Sequence, residues 1–301
     1  MHNPGIQRIN VSTSQRIIEL LAPAKINLCL HVIGRRPDGY HELFSLMCCV
    51  AIFDRLVIRM GTVQSVMTCD EPSLPCDDSN LVLKAARLFN KHLGEETRIS
   101  PDNLSIHLHK RIPMGAGLGG GSSDAAAVLL GLNGYYGEPF DRQRLRSLAL
   151  QLGADVPFFI DGRPAIAQGI GEQLSPYTGL PAYGLVLIYP GFGLATAQVY
   201  KNLNFALTKS KKKLRNVPFK NGDFHPSHHL HNDLEAGVGD HFTVIEKLKK
   251  DLLNQGAIGS LMTGSGSAVF GLFDSEEGAQ AAKAAMVPSP SWQMFVTRLI
   301  V

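Results

Sequence analysis

The 301-residue chain is 45% hydrophobic and 18% charged, which suits a globular protein with a core large enough for two domains. Its formal net charge of +3 is too small to indicate nucleic-acid binding by itself. No apolar run approaches the roughly 18 residues of a membrane span, and the opening residues lack the apolar core of a signal peptide. The five cysteines are odd in number and form no C-x-x-C pair, which predicts a reduced, cytoplasmic protein.

The first predicted strands carry two polar residues on an otherwise apolar background. We expect order to begin near Arg16, after a frayed extension, and residues 17–31 to form strand. Apolar and polar residues alternate from residue 24 onward, so Lys25 and Asn27 project from one face while the other face joins the core. A lysine in this position is either solvated or part of a site, and this segment alone leaves both alternatives open.

A tight turn joins this strand to the next. Pro37, Asp38 and Gly39 are typical turn residues, so Tyr40 and His41 are predicted to lie directly after a hairpin turn. An aromatic ring beside an imidazole could stack on and hydrogen-bond a nucleobase, or could simply pack within the hairpin.

The chain then continues as strand, a polar loop with an edge strand, and a helix. The helix is predicted from Ser79 to Asn90, with Asp77, Asp78 or Ser79 as its cap. Asn80 lies in its first turn, where it could cap the helix or contact a ligand.

The most unusual stretch is glycine-rich, because five of the seven residues from Gly115 to Gly121 are glycine. Ser122, Ser123 and Asp124 follow as good helix-start residues, so a helix is predicted from about Ser123. A glycine loop that opens into a helix presents N–H groups and the positive end of the helix dipole to an anion, usually phosphate. A mobile loop or an interdomain turn is the alternative. The candidate phosphate-binding residues are Pro113, Met114, Gly115, Ala116, Gly117, Leu118, Gly119, Gly120, Gly121, Ser122 and Ser123.

Three kinds of phosphate-binding loop compete for this stretch. A nucleotide P-loop requires a lysine that is absent here. The dinucleotide pattern G-x-G-x-x-G matches at Gly115, Gly117 and Gly120. However, the preceding strand, Leu104 to His109, alternates apolar and polar residues, unlike the buried central strand of a Rossmann fold. The stretch from Pro113 to Ala126 instead resembles the second motif of the galactokinase, homoserine kinase and mevalonate kinase superfamily, the GHMP kinases.

Two further charged residues are candidates. Asp155 lies in the apolar run Gly-Ala-Asp-Val-Pro-Phe-Phe-Ile, and a carboxylate in such company is costly to bury without a partner. Lys25 is a plausible partner, while a helix cap or a structural ion pair is the alternative. Lys110, at the end of the strand before the glycine loop, could contact a phosphate or lie in solvent.

The second half of the chain holds fewer candidates. A helix begins near Thr196, and Tyr200 within it could stack on a base or pack in the core. Residues 208–231 form the least structured stretch, with a basic run and four histidines. Nucleic-acid contact, metal binding and a solvated surface loop are the alternatives there. The other predicted elements are helices at 141–152, 240–254 and 275–286, strands at 184–189 and 293–301, and a strand–turn–strand unit at 256–271.

Three separated motifs resemble, in order, those of one GHMP branch, the 4-diphosphocytidyl-2-C-methyl-D-erythritol kinases. They are residues 22–43, the glycine loop and residues 256–271, and the segment Gly153 to Phe158 adds to them. The resemblance runs from about residue 20 to the end of the chain.

The resemblance implies a two-domain α/β fold of the α+β GHMP type. Residues 1–163 are expected to form an ATP-binding domain with a mixed sheet, and residues 164–301 a substrate domain with an antiparallel sheet and helices. ATP with Mg²⁺ is the implied phosphate donor, and a cytidine diphosphate sugar-alcohol is the implied small-molecule acceptor. No nucleic-acid or membrane partner is expected, and the chain is expected to be a monomer or homodimer. The magnesium ligands stay open, with Ser122 or Ser123 as candidates.

The resemblance also implies residue roles. Asp155 is the expected catalytic base with Lys25 beside it, and Asn80 is expected to contact the adenine. Lys110 stays a candidate for contact with the nucleotide from its position before the glycine loop alone. Another GHMP kinase, acting on mevalonate or homoserine, and a non-catalytic nucleotide-binding regulator stay as alternatives. The presence of both Lys25 and Asp155 argues against the regulator. The implied substrate-binding residues are Asn27, Tyr40, His41, Asp155, Thr196 and Tyr200.

Overall fold

The computed structural model of the chain describes residues 3–203 and 224–301. The chain divides into two compact units, neither of which is one continuous segment. It passes between them inside two long strands, at both ends of residues 113–118 and after residue 162. The basic run of the predicted surface loop, residues 209–215, lies outside the described residues. The first unit consists of residues up to 24, 52–112 and 119–162, and the second of residues 25–51, 113–118 and 163–301.

In the described part of the first unit the chain forms five strands and four helices, and two of the strands continue into the second unit. They are β1 (Gln7–Ser12), β2 (Ile17–Arg35), β3 (His41–Met60), β4 (Val66–Cys69), α1 (Leu81–Glu96), β5 (Leu104–His109), α2 (Gly120–Tyr135), α3 (Arg142–Leu152) and α4 (Val156–Asp161).

The strands of the first unit pair in both directions, which confirms the predicted mixed sheet. β1 pairs antiparallel with β2, β5 pairs antiparallel with β3, and β4 lies parallel to β5. The alternation in Leu104–His109 is confirmed, because every second residue of β5 is buried. The four helices pack against one another. In α2 the small side chains of residues 125–127 are fully buried, which suits close packing between helices.

Strand β1 shows that the prediction of a frayed extension over residues 1–15 is wrong. It pairs with β2, and Ile6 just before it is buried. Asn3 donates from Nδ2 to the carbonyls of Phe159 and Ile160, both at 2.9 Å, and its Oδ1 accepts the N–H of Ile6 at 2.8 Å. The polar sequence of β1 conceals this strand, because backbone pairing and distant partners hold it rather than an apolar face.

Two helix starts also differ from the sequence prediction. Asn80 is the N-cap of α1, and its Oδ1 accepts the N–H of Val82 at 2.9 Å, so the prediction of a cap among the three preceding residues is wrong. Helix α2 begins at Gly120 rather than at Ser123. Its N-cap, Gly119, has a φ of +70°, a left-handed conformation that glycine adopts without a steric penalty. The three polar residues predicted to start this helix therefore lie within it.

The remaining elements belong to the second unit. They are β6 (Ala165–Gly169), β7 (Gln173–Pro176), β8 (Gly184–Tyr189), α5 (Thr196–Asn202), α6 (Pro226–His229), β9 (His231–Asn232), α7 (Phe242–Asn254), β10 (Gly259–Met262), β11 (Val269–Phe273), α8 (Glu276–Ala285) and β12 (Gln293–Ile300), with short 3-10 helices at Asp233–Gly237 and Gly239–His241.

The second unit contains the predicted antiparallel sheet with helices. Strands β12, β8, β11 and β10 pair antiparallel in that order, and β3 pairs antiparallel with both β12 and β6. The short strand β9 pairs parallel with β2. Helices α7 and α8 pack on the sheet, and Val186, Ile188, Leu248 and Ala279 lie in the core between them.

The composition led to expectations about membrane-spanning segments and about the cysteines. In the described ranges, no helix has the length and apolar character needed to cross a membrane. All five cysteines lie within these ranges, and all are free thiols.

We expect Asn3→Ala to lower the free energy of unfolding by about 1–3 kcal/mol, because it leaves two carbonyls of α4 without their donor. Urea unfolding followed by circular dichroism gives this value. Asn10→Ala, at an exposed position of β1, is the matched control and should change it by less than about 0.5 kcal/mol. Equal stability of the two variants would show that the segment before β1 is not docked.

Candidate active site

The start of α2 has the features of an anion site. Its N-cap, Gly119, makes no side-chain capping bond, and its first turn carries no acidic side chain. The first N–H groups of a helix have no partner within the helix and lie at the positive end of its dipole. This end of α2 is therefore suited to a phosphate group.

The first part of the glycine loop, residues 113–118, belongs to the second unit and is held there by its carbonyl groups. Gly115 O accepts the N–H of Leu194 at 3.2 Å, and Ala116 O accepts the N–H of Ala268 at 3.2 Å. Gly117 has a φ of +76°, and a Cβ at this position would lie 2.2 Å from Thr263 O. Only glycine fits so close a backbone approach. The turn between β10 and β11 thus folds against the glycine loop.

Lys25 and Asn27 lie side by side on β2 and are both buried, each only 4% exposed. Lys25 Nζ donates to Asn27 Oδ1 at 2.6 Å, and Asn27 Nδ2 donates to Ser45 Oγ at 2.8 Å. The backbone N–H of Asn27 donates to Thr263 Oγ1 at 3.0 Å, and that of Lys25 donates to Leu118 O at 2.9 Å. The alternative of a solvated strand lysine is therefore wrong.

Lys110 belongs to a buried ionic cluster in the first unit, so the alternative of a solvated lysine is wrong here too. Its ammonium donates to Asp54 and, at 3.0 Å, to Asp124, and the three side chains are at most 7% exposed. Asp54 Oδ1 also accepts the backbone N–H groups of Arg111 at 2.6 Å and Ile112 at 2.9 Å. The predicted contact between Lys110 and a phosphate stays a prediction.

This cluster has two carboxyl groups for one ammonium group, which favours a bound proton. The pKa of Asp124 is raised from 3.8 to about 8: burial is the largest cause, the Lys110 charge lowers the pKa, and the Asp54 charge raises it. The pKa of Lys110 is lowered by burial, but the charges of Asp124 and Asp54 outweigh this and raise it overall. Within the described residues, Asp124 Oδ1 and Ser123 Oγ are buried without a hydrogen-bond partner.

Sequence reasoning missed Asp54 and Asp124 as members of the site. Asp54 follows an apolar run in β3, and a lone carboxylate in such a run is the signal that singled out Asp155. Asp124 follows two serines and so fits the pattern of a helix-start residue, which conceals its part in the cluster.

Two predicted residues occupy helix starts. Asn80 caps α1, and its Nδ2 donates to Pro75 O at 2.7 Å, so its expected contact with adenine stays a prediction. Asp155 occupies the N-cap position of α4 but makes no side-chain capping bond there. It is partly buried, and Val156 to Ile160 after it are fully buried. A capping role at the start of α4 therefore does not explain why a carboxylate occupies this position.

The predicted base-binding residues lie in the second unit. The His41 ring stacks on the Tyr200 ring with centroids 4.7 Å apart and an interplanar angle of 13°. Burial and the nearby Arg35 charge lower the pKa of His41, which favours its neutral form. Tyr40 is 61% exposed, so its ring face is open to a ligand. The stacked pair provides one aromatic surface.

Thr196 lies at the start of α5 and belongs to a different contact. Its Oγ1 lies 2.8 Å from Ser265 Oγ, in the turn that packs on the glycine loop. Sequence reasoning did not single out Ser265 or Thr263, although both lie in the third motif.

Comparisons with known proteins identify the family. The model for the GHMP kinases N terminal domain matches residues 80–163, and the model for GHMP kinases C terminal matches residues 220–289. The 4-diphosphocytidyl-2-C-methyl-D-erythritol kinase of Syntrophotalea carbinolica is 43% identical over 276 residues, which cover 91% of this chain and 96% of that protein. The chain belongs to this family of GHMP kinases.

Further relatives agree with this assignment. The same kinase of Geobacter sp. strain M21 is 40% identical over 291 residues, covering 94% of this chain and 99% of that protein. A crystal structure of 4-(cytidine 5'-diphospho)-2C-methyl-D-erythritol kinase, 37% identical, has a TM-score of 0.74 and covers 93% of this chain and 98% of its own. Homoserine kinase from Cytophaga hutchinsonii, 19% identical with a TM-score of 0.74 and 97% of each chain covered, shares the fold. GHMP kinases use ATP as phosphate donor.

We expect Asp124→Asn to change how stability depends on pH. Because the native pKa of Asp124 is raised from 3.8 to about 8, the folded state keeps a proton that the unfolded carboxyl loses. Stability from this group is fully present below about pH 4 and is lost as the pH rises to about 8. The variant has no carboxyl group to ionise at this position. Its free energy of unfolding should therefore rise relative to that of the wild type between pH 5 and 8.

Urea midpoints measured at pH 5, 6, 7 and 8 test this expectation. Asp240→Asn, at an exposed position, is the control and should give a difference from wild type that is constant with pH. A constant difference for Asp124→Asn would show that this carboxyl is ionised in the native state throughout the range.

Proposed function

We propose that the chain transfers the γ-phosphoryl group of ATP to the 2-hydroxyl of 4-diphosphocytidyl-2-C-methyl-D-erythritol, in the methylerythritol phosphate route to isoprenoid precursors. Membership of the kinase family supports this reaction. The observation that carries the chemistry is the buried ammonium of Lys25, which Asn27 holds in a hydrogen-bonded network. In this proposal residues 1–163 form the ATP-binding domain and residues 164–301 the substrate domain.

ATP fits the residues at the start of α2, since no side chain caps this end within the described residues. The N–H groups of the glycine loop would hold the phosphates, and Asn80 would contact the adenine. Ser122 would supply a ligand to Mg²⁺, because it is partly exposed whereas Ser123 is fully buried. When bound, the ion neutralises charge on the phosphate oxygens.

Phosphoryl transfer passes through a loose transition state, so positioning and charge stabilisation supply most of the catalysis. Asp155 would accept the proton of the acceptor hydroxyl, and Lys25 would stabilise negative charge on that oxygen. Asn27 would orient Lys25, because its Oδ1 accepts from Nζ at 2.6 Å. The pairing of Lys25 with Asp155 rests on the sequence motifs.

The cytosine ring of the acceptor would bind beside His41 and Tyr200, with Tyr40 covering it and Thr196 contacting the remainder of the molecule. The stacked pair supports this role, because aromatic faces bind the flat rings of bases. We further propose a cytoplasmic enzyme that acts as a monomer or homodimer and binds neither nucleic acid nor membrane.

The proposed substrate predicts that the enzyme prefers cytosine to uracil in its acceptor. The rate of ADP release measures this preference. Activity should appear with the cytidine diphosphate acceptor and be lower by at least about tenfold in kcat/KM with its uridine analogue, because unpaired polar groups would remain in the pocket. Mevalonate and homoserine serve as negative controls. Tyr200→Ala and His41→Ala should raise KM, whereas Tyr200→Phe keeps the ring and should not. Equal kcat/KM for the two base analogues would contradict base recognition.

Asp155→Asn should lower kcat by a factor on the order of 10²–10⁴, the range for a positioned acid or base. Lys25→Met should also lower kcat, and neither change should alter ATP affinity. If the two residues act on one hydroxyl, the double variant should be scarcely slower than the worse single one. Steady-state kinetics give kcat for the two single variants and for the double variant, and calorimetric titration gives their affinity for ATP.

Two controls accompany this experiment. Removing a buried charge partner can cost about 3–5 kcal/mol, so thermal melts must show each variant folded. Lys91→Met, at an exposed position of α1, should leave kcat unchanged. A folded Asp155→Asn variant with near-normal kcat, or losses that multiply in the double variant, would overturn the paired mechanism.

A further inference from the structure

Three side chains outside the proposed kinase site form a cluster in the second unit. They are His31 of β2, His231 of β9 and Asp233, the first residue of the 3-10 helix that follows. One potential ligand atom from each lies within 4.8 Å of the others. Two imidazoles and a carboxylate are a donor set that binds transition metals.

The fold holds the backbone of this cluster in place. β9 pairs parallel with β2, with His231 opposite Cys29, so His31 lies two residues further along the same strand. Between the other two members, Asn232 is buried and donates from Nδ2 to the carbonyls of Met262 and Gly264, both at 2.8 Å. The ligand residues are therefore attached to fixed backbone rather than to a loose loop, which lowers the ordering cost of binding an ion.

The side chains are close to the spacing that a metal ion requires. His231 Nε2 lies 2.6 Å from Asp233 Oδ1, and His31 Nδ1 lies 4.0 Å from Asp233 Oδ2. The two imidazole rings stack with centroids 4.4 Å apart. A tetrahedral ion with bonds of about 2.0–2.1 Å holds its ligand atoms about 3.3 Å apart. The two N–O separations lie on either side of this value. Binding would therefore draw His31 closer to Asp233 and rotate the two stacked rings so that a nitrogen of each points at the ion.

The surroundings suit an ion that enters from solvent. The side chains of His31, His231 and Asp233 are 22%, 40% and 12% exposed, which leaves an open side for a water ligand. Asp233 Oδ2 accepts the backbone N–H of Val32 at 2.8 Å. Such outer contacts orient ligating carboxylates in metal sites.

We propose that His31, His231 and Asp233 bind one divalent transition-metal ion of the Zn²⁺ type. Mg²⁺ is the wrong ion for this donor set, because it prefers six oxygen ligands, whereas imidazole suits Zn²⁺, Co²⁺ and Ni²⁺. The bound ion would cross-link β2 to the segment around β9. Binding to the folded state alone stabilises that state by mass action, so the ion should protect the protein against unfolding.

The test uses the full chain, metal-stripped and without a histidine tag. Calorimetric titration with Zn²⁺ in excess Mg²⁺ should show one ion bound per chain, and Co²⁺ should give a visible absorption band. His31→Ala, His231→Ala and Asp233→Asn should each weaken binding by at least about tenfold. Zn²⁺ should raise the Tm of the wild type but not of these variants. Neither readout depends on kinase activity, so failure of this proposal and failure of the proposed function are distinguishable.

His228→Ala is the matched control, since this histidine is exposed and lies outside the cluster. It should bind Zn²⁺ as the wild type does. If His231→Ala does not fold, His231→Gln keeps a polar side chain and serves instead. Absence of stoichiometric binding in the wild type would show an ordinary His–Asp hydrogen bond only. Unchanged binding in a folded His231 variant, or its loss in His228→Ala, would place the ion elsewhere, and either result overturns the proposal.

Discussion

A loop that binds an anion through its N–H groups has to be held in place by other atoms. In the second unit the carbonyl oxygens of the glycine loop meet this constraint, because those of Gly115, Ala116 and Leu118 all accept backbone hydrogen bonds. These bonds use the acceptor groups of the loop and leave its donors for a ligand. One of the donors to the loop is the N–H of Lys25, so the proposed catalytic strand and the proposed phosphate loop share a backbone contact.

The first unit meets the same constraint with buried charge. Asp54 accepts the N–H of Ile112, directly before the loop, and Lys110 links Asp54 to Asp124, inside the helix that follows the loop. Removing Lys110 would leave two buried carboxyl groups side by side, which repel each other when ionised. Burial and the charge of Asp54 raise the pKa of Asp124, which favours a retained proton on this carboxyl at neutral pH. The charged group at the end of β5 therefore has two partners within the first unit.

The sequence predicted the local features of this molecule well. The hairpin turn before Tyr40, the alternation in β5, the helix at Thr196 and the turn between β10 and β11 all follow from periodicity or from turn residues within short windows. These signals are local, and so were the motifs that located the glycine loop.

What the sequence did not predict depends on partners far apart in the chain. β1 is polar and is held by pairing with β2 and by contacts between Asn3 and α4, 156 and 157 residues away. The Asp54–Lys110 pair spans 56 residues, and the bond from Asn27 N–H to Thr263 spans 236. No window of sequence shows which distant group will satisfy a polar atom.

Strand β2 is buried on both faces around the proposed catalytic lysine. Ile26 and Leu28 on one face are fully buried, and Lys25 and Asn27 on the other face are nearly so. Polar groups on a face that water does not reach must form their hydrogen bonds within the protein, since an unpaired buried polar group costs about 1–3 kcal/mol. Ser45 shows how this sets orientation. Its hydroxyl donates to a backbone carbonyl, so it must accept from the Asn27 amide, which turns the Asn27 oxygen toward the ammonium. The position of the lysine charge thus follows from a chain of hydrogen bonds that runs from the Cys29 carbonyl through Ser45 of β3 and Asn27 to Lys25.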